Sequence, residues 1–187
     1  MSGPVIKGRL TRGLFIGRFQ PYHLGHEMMI DFALKNTDDL IIVIGSSQSC
    51  YEVRNPFTCG ERILMIKESL NANKDIDQKR ILIIPVPDSN IHYVWTHQVD
   101  MMVPKYDCVF SNDPYTVLLF RERNIIVRSK ELYRRKYFSS TEIRRRMTKD
   151  VKWEHLTSKE AVKVINDIGG VRRMKKLIQK VEGIRHP

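Results

Sequence analysis

Short apolar runs punctuate the chain at Leu14 to Gly17, Leu40 to Gly45, Ile81 to Pro85, Cys108 to Phe110 and Ile125 to Val127. Between them lie stretches long enough to hold helices. Continuous Ile/Val/Leu segments such as Leu40 to Ile44 and Ile81 to Ile84 suit strands buried on both faces, and the intervening helices supply right-handed crossovers. The pattern predicts an α/β fold, a Rossmann-like doubly wound parallel sheet.

Helix starts are marked by a hydroxyl followed three residues later by Glu: Thr58 with Glu61, Ser139 with Glu142 and Thr157 with Glu160. In such a pair the hydroxyl accepts a bond from an orphaned N–H of the first turn while the carboxylate reaches back to the cap. Near the end, Ala161, Val164, Ile165 and Ile168 follow helical spacing, Gly169 and Gly170 interrupt it, and Val171, Met174, Leu177, Ile178 and Val181 resume it. This predicts a C-terminal helical hairpin. Arg172, Arg173, Lys175, Lys176 and Lys180 fall mostly off its apolar stripe and read as a solvated face. A chain of 187 residues suits one domain, with 1–12 as an N-terminal extension, 13–150 as the sheet core and 151–187 as C-terminal helices.

No window approaches the apolar run of a membrane span, and Met1 to Thr11 contains no signal-like apolar region. The expected compartment is therefore the cytoplasm. Cys50, Cys59 and Cys108 are widely spaced and form no C-x-x-C pair, against a disulfide framework or a zinc site. The net charge of +11 is unevenly spread: residues 1–120 carry 12 Lys+Arg against 13 Asp+Glu, residues 121–187 carry 20 against 8. A basic carboxyl third could attract RNA, a membrane surface or a polyphosphate, and charge alone does not choose among them.

The segment GLFIGRFQPYHLGH, Gly13 to His26, takes a strand end through a loop into a helix. Ligands of open α/β sheets bind at the carboxyl ends of strands, where helix N-termini present free N–H groups. Gly17 permits close backbone approach, Arg18 supplies a permanent cation, Pro21 stiffens the turn and Gly25 removes a side chain beside an incoming ligand. His23 and His26, three apart, point the same way and can donate to phosphate oxygens. Further on, FSSTEIRRRM gathers Ser139 as cap, Thr141 and Arg144 at one helix start, a place for the β/γ end of a triphosphate.

Together these segments resemble the H-x-G-H and S-x-T-x-x-R motifs of the nucleotidyltransferase superfamily. GRFQPYHLGH and STEIRRRM are most similar to the archaeal-type nicotinamide mononucleotide (NMN) adenylyltransferases, with Tyr22, Phe138 and Ser140 as mild departures. The resemblance spans roughly Gly13 to Lys180 and includes RNPFTCGER, Arg54 to Arg62, and SNDP, where Asp113 replaces Asn. It implies an ATP site of Gly17, Arg18, Phe19, His23, His26, Ser139, Thr141 and Arg144, with His23, His26 and Arg144 catalytic. It also implies that Arg54 binds the NMN phosphate, although pairing with Glu52 or Glu61 is the plain alternative. Asp88 and Trp95 follow the third strand, and Trp95 could stack on the pyridine ring.

The implied reaction is in-line attack of NMN on ATP, giving NAD and pyrophosphate with no covalent enzyme intermediate, Mg2+ accompanying ATP. No resident metal or tightly bound organic cofactor, no nucleic acid and no membrane are expected, and the resemblance suggests a homo-oligomer such as a hexamer. Two alternatives stay open: an adenylyl or cytidylyl transferase acting on another phosphorylated acceptor, or a basic nucleic-acid-binding module without catalysis.

Overall fold

The computed structural model describes residues 10–131 and 136–185, so residues 1–9 of the expected N-terminal extension lie outside the described residues. In chain order the elements are β1 (Arg12–Gly17), α1 (Leu24–Asn36), β2 (Asp39–Ile44), α2 (Cys59–Ala72), β3 (Ile81–Pro85), α3 (His92–Met102), β4 (Cys108–Phe110), α4 (Pro114–Glu122), β5 (Ile126–Arg128), α5 (Ser140–Thr148), α6 (Lys159–Asp167) and α7 (Gly170–Arg185). They group into two compact units. One is assembled from 1–17, 27–46 and 77–133, the other from 18–26, 47–76 and 134–187.

The first unit carries a five-stranded sheet in the order β3-β2-β1-β4-β5, parallel throughout. Each strand lies within two residues of its expected position. Leu14, Ile41, Val43 and Val109 are buried together with Val86, Val99 and Phe120, which explains why the strands read as unbroken apolar runs. Because β1 lies between β2 and β4, the winding direction reverses beside it, and the carboxyl end of β1 is the place where such sheets receive ligands.

The second unit is helical. α2 packs on α6, and α5 and α6 pack on α7. Thr58 and Glu61 form the full reciprocal capping box on α2. Ser139 caps α5 through the Glu142 N–H, but the Glu142 carboxylate turns to Arg145 and Arg146. The third expected cap is displaced by one residue: Ser158, not Thr157, caps α6 through the Ala161 N–H. Thr157 is drawn away because its hydroxyl donates to the Tyr22 carbonyl at 2.8 Å.

The helical hairpin is present, and Gly169 makes its turn at φ 65°, a left-handed conformation that costs a glycine little. The basic face of α7 is not wholly solvated. Arg173 makes two bonds to the Glu61 carboxylate, at 2.6 and 2.7 Å, and Lys175 pairs with Asp150. A guanidinium finding a half-buried carboxylate gains more than one left in water, which a stripe count cannot reveal.

Candidate active site

The loop from Arg18 to His26 is held almost entirely through its backbone. Phe19 and Tyr22 are fully buried, and Phe19 takes a positive φ of 52° while the following Gln20–Pro21 peptide is cis. The Arg18 carbonyl accepts from Arg62, whose guanidinium is itself fully buried and also donates to the carbonyls of Thr58 and Ser47. Ser140 donates to the Pro21 carbonyl, Thr157 to that of Tyr22, and Arg144 to that of Gln20. Gln20 in turn uses its side-chain amide to clasp the N–H and C=O of Phe57, each at 2.9 Å. The conformation is thus fixed by the second unit's own elements rather than by local propensity.

His23 occupies the N-cap position of α1. Its Nδ1 accepts from the His26 N–H at 3.3 Å, and that N–H also reaches the His23 carbonyl at 2.8 Å. An accepting Nδ1 carries no proton, which leaves the proton of the neutral ring on Nε2 as a donor. Burial, reinforced by the nearby Arg144 cation, pushes His23 down to about 3. Burial and His23 likewise hold His26 well below its ordinary 6.5. The two imidazoles are stacked with centroids 3.6 Å apart, and the Phe19 ring lies 4.4 Å from that of His26. Both are neutral donors, not the imidazolium pair that a phosphate alone would favour.

Arg144 donates Nη1 to the Gln20 carbonyl at 2.6 Å and Nη2 to the Thr141 hydroxyl at 3.3 Å. Burial first, and then the positive charges of Arg18 and Arg54, together lower its pKa to about 10. Arg144 therefore feels both of the other guanidiniums. Among the described residues none of the three makes an ion pair. The alternative partners of Arg54 are occupied elsewhere: Glu52 accepts from Asn55, and Glu61 is held by Arg173. Mutually repelling cations with an adjacent helix start favour an anion among them. Ser139 spends its hydroxyl on capping α5, and Thr141 stands in the first turn.

Gly25 is required for a different reason from the one expected. A Cβ there would lie 2.8 Å from the Phe138 carbonyl oxygen and 2.9 Å from His23 Nδ1. The space it leaves is filled by the protein itself, so Gly25 lets the imidazole and the Phe138 backbone close in.

The remaining expected residues belong to the first unit. Gly17 ends β1, and its carbonyl accepts from the Gly45 N–H at 2.9 Å. Asp88 accepts from the Ser46 hydroxyl at 3.0 Å. Trp95 packs against the sheet core and meets Phe120 edge-on, with its Nε1 buried and without a hydrogen-bond partner among the described residues. Asp113 caps α4 by accepting from the N–H and hydroxyl of Thr116, a task a carboxylate performs as well as the amide it replaces.

Gln20 and Arg62 were given no role from the sequence, while Thr157 was read only as a helix cap and Arg173 only as part of a solvated face. Arg62 alone gave a signal, standing at helical spacing on the same face as the buried Met65, Ile66, Ser69 and Leu70.

An open parallel sheet whose first strand runs into a loop of neutral imidazoles and clustered guanidiniums defines a nucleotide-handling α/β protein. Residues 14–146 match the family described as cytidylyltransferase-like. The chain belongs to that family and, within it, to the nicotinamide-nucleotide adenylyltransferases. The enzyme of that name from Methanosarcina barkeri is 43% identical over 166 residues, covering 89% of this chain and 94% of the relative. That from Pyrococcus furiosus is 40% identical over 173 residues, covering 92% of each.

Among solved structures, a bifunctional NMN adenylyltransferase/ADP ribose pyrophosphatase from Francisella tularensis, complexed with AMP and a Mn ion, superposes with a TM-score of 0.75 at 22% identity. The match covers 94% of this chain and spans about half, 54%, of that longer one. This likeness supports the fold. Among the described residues no helix is long and apolar enough to cross a membrane.

Proposed function

We propose that the protein transfers the adenylyl group of ATP to nicotinamide mononucleotide, giving NAD and pyrophosphate. The observation that carries the reading is the convergence of Arg18, Arg54 and Arg144, felt in the lowered pKa of Arg144, beside the stacked His23 and His26. In this reading Arg18 and Arg144, with the Ser139 and Thr141 helix start, bind the triphosphate, and Arg54 binds the acceptor phosphate. Gly17 borders the nucleotide, the fully buried Phe19 backs His26 instead of touching the ligand, and Asp88 and Trp95 serve the pyridine end. The whole chain then works as one nucleotidyltransferase domain, and exposed apolar side chains such as Ile91, Met101 and Leu118 suit a homo-oligomer.

The acceptor phosphate is the nucleophile. One of its oxygens attacks the α-phosphorus of ATP, the bond from that phosphorus to the bridging oxygen breaks, and pyrophosphate leaves in line. No side-chain nucleophile is required. The enzyme's part is to align two anions that repel each other and to stabilise charge as it moves to the equatorial and leaving oxygens. Neutral Nε2–H donors suit this task because they hold phosphate oxygens without giving up a proton. Mg2+ belongs to the ATP substrate in this reading. Among the described residues no group of three His, Cys, Asp or Glu side chains could hold a metal ion, and phosphate oxygens are its usual ligands.

The test is pyrophosphate release from Mg-ATP or Mg-CTP with nicotinamide and nicotinic acid mononucleotides, phosphopantetheine and flavin mononucleotide as acceptors. Turnover with ATP and NMN is expected. Turnover with CTP alone, or only with a non-pyridine acceptor, would overturn the substrate assignment.

A further inference from the structure

Gln20 is nearly fully buried, with 1% of its surface exposed, and nothing in its polarity requires it to be there. A buried amide is tolerated only when its hydrogen bonds are made. Gln20 makes them in one direction, with Oε1 accepting from the Phe57 N–H and Nε2 donating to the Phe57 carbonyl, both at 2.9 Å. Its own backbone carbonyl accepts the Arg144 guanidinium at 2.6 Å. One residue therefore touches the group assigned to the triphosphate and, through Phe57, the stretch that carries Arg54 three residues earlier. Phe57 is seated firmly, since a Cβ on Gly170 would approach its ring to 2.8 Å.

We propose that Gln20 is a positioning residue that sets the place of Arg54 relative to Arg144, and hence the approach of the acceptor phosphate to ATP. The inference rests on the reading of Arg54 as the acceptor-phosphate ligand. The two bonds to Phe57 act as a short rung. Without them the segment from Glu52 to Phe57 loses its direct tie to the His23 loop, keeping only the flanking Arg62 bridge from Arg18 to Thr58 and Ser47, while the backbone carbonyl that orients Arg144 remains. Loss should therefore fall on the acceptor and spare ATP.

The experiment measures KM for NMN and for ATP in Gln20→Ala, Arg54→Ala and the double variant, with Gln20→Met as a volume-preserving second choice and thermal unfolding as a check on folding. Gln20→Ala is expected to raise KM for NMN about tenfold, the scale of two lost hydrogen bonds, and to change KM for ATP by less than about twofold. In the Arg54→Ala background the same substitution should add almost nothing, because the residue acts through Arg54. Equal rises for both substrates, additive effects in the double variant, or unfolding of both Gln20 variants would each overturn the proposal. If Arg54→Ala itself leaves KM for NMN unchanged, the acceptor-site reading has failed, and the positioning role falls with it.

Discussion

The His26 N–H points at Nδ1 of His23, 3.3 Å away, so the imidazole proposed to hold a phosphate also caps the helix start. The cap needs Nδ1 unprotonated, and this leaves the Nε2 proton available to a ligand.

His26 is stacked on His23, with ring centroids 3.6 Å apart. Its replacement by Ala should leave the far-ultraviolet circular dichroism unchanged and lower kcat by about 10²- to 10³-fold, the range for loss of one preorganised donor. Turnover close to that of the parent protein would remove His26 from the catalytic set.

Stability should fall on mild acidification. His23 titrates at about 3 in the fold against an ordinary 6.5, so between those values the unfolded chain binds more protons than the native one. The lowered His26 pKa acts in the same direction. Stability is fully present above pH 6.5 and is lost as pH drops through this window. The melting temperature should be lower at pH 5 than at pH 7, and His23→Asn, which can still cap, should shrink the difference. An undiminished difference would show that other groups govern the acid limb.

The Arg173–Glu61 pair should matter to stability despite its place on a basic helix. Burial pushes the Glu61 carboxyl up, yet the hydrogen bonds from Arg173 and from the Thr58 backbone outweigh it, and its pKa lies below the ordinary value. Arg173→Leu leaves that carboxylate half-buried and unpaired, at an expected cost of about 3 kcal/mol in urea unfolding. A cost below about 0.5 kcal/mol would assign the pair to the weak class of exposed surface bridges.

Gly25→Ala places a methyl group against the Phe138 carbonyl and the His23 ring, neither of which is a flexible chain end. Overpacking of this kind costs about 1–3 kcal/mol. The shift should appear in kcat and in KM for ATP together, and normal kinetics would mean that the loop absorbs the methyl group.

Much of this was legible beforehand, for physical reasons that differ from element to element. β3 and β4 were located to the residue because their apolar runs are bounded by polar turns, and α2 because Thr58 and Glu61 satisfy each other locally. Thr157 misled because its competing partner, the Tyr22 carbonyl, is 135 residues away in the chain. Arg173 misled because helical spacing places a side chain on a face and says nothing of what covers it. Gln20 was spelled out in the motif, yet its role depends on a distant backbone segment that no local pattern announces.

The helical unit is gathered from three separate stretches of chain, 18–26, 47–76 and 134–187, and Arg18, Arg54 and Arg144 come one from each. No stretch alone assembles that cluster, so the unfolded chain has no counterpart of it. Substrates bound as proposed, ATP by Arg18 and Arg144 and the acceptor phosphate by Arg54, would then act as removable cross-links among three strands of one thread, drawing together segments whose positive charges otherwise push them apart. Ligand that binds the native state alone adds stability that grows with the logarithm of its concentration. Nucleotide supply would in this way set how long the folded molecule lasts, as well as how fast it turns over.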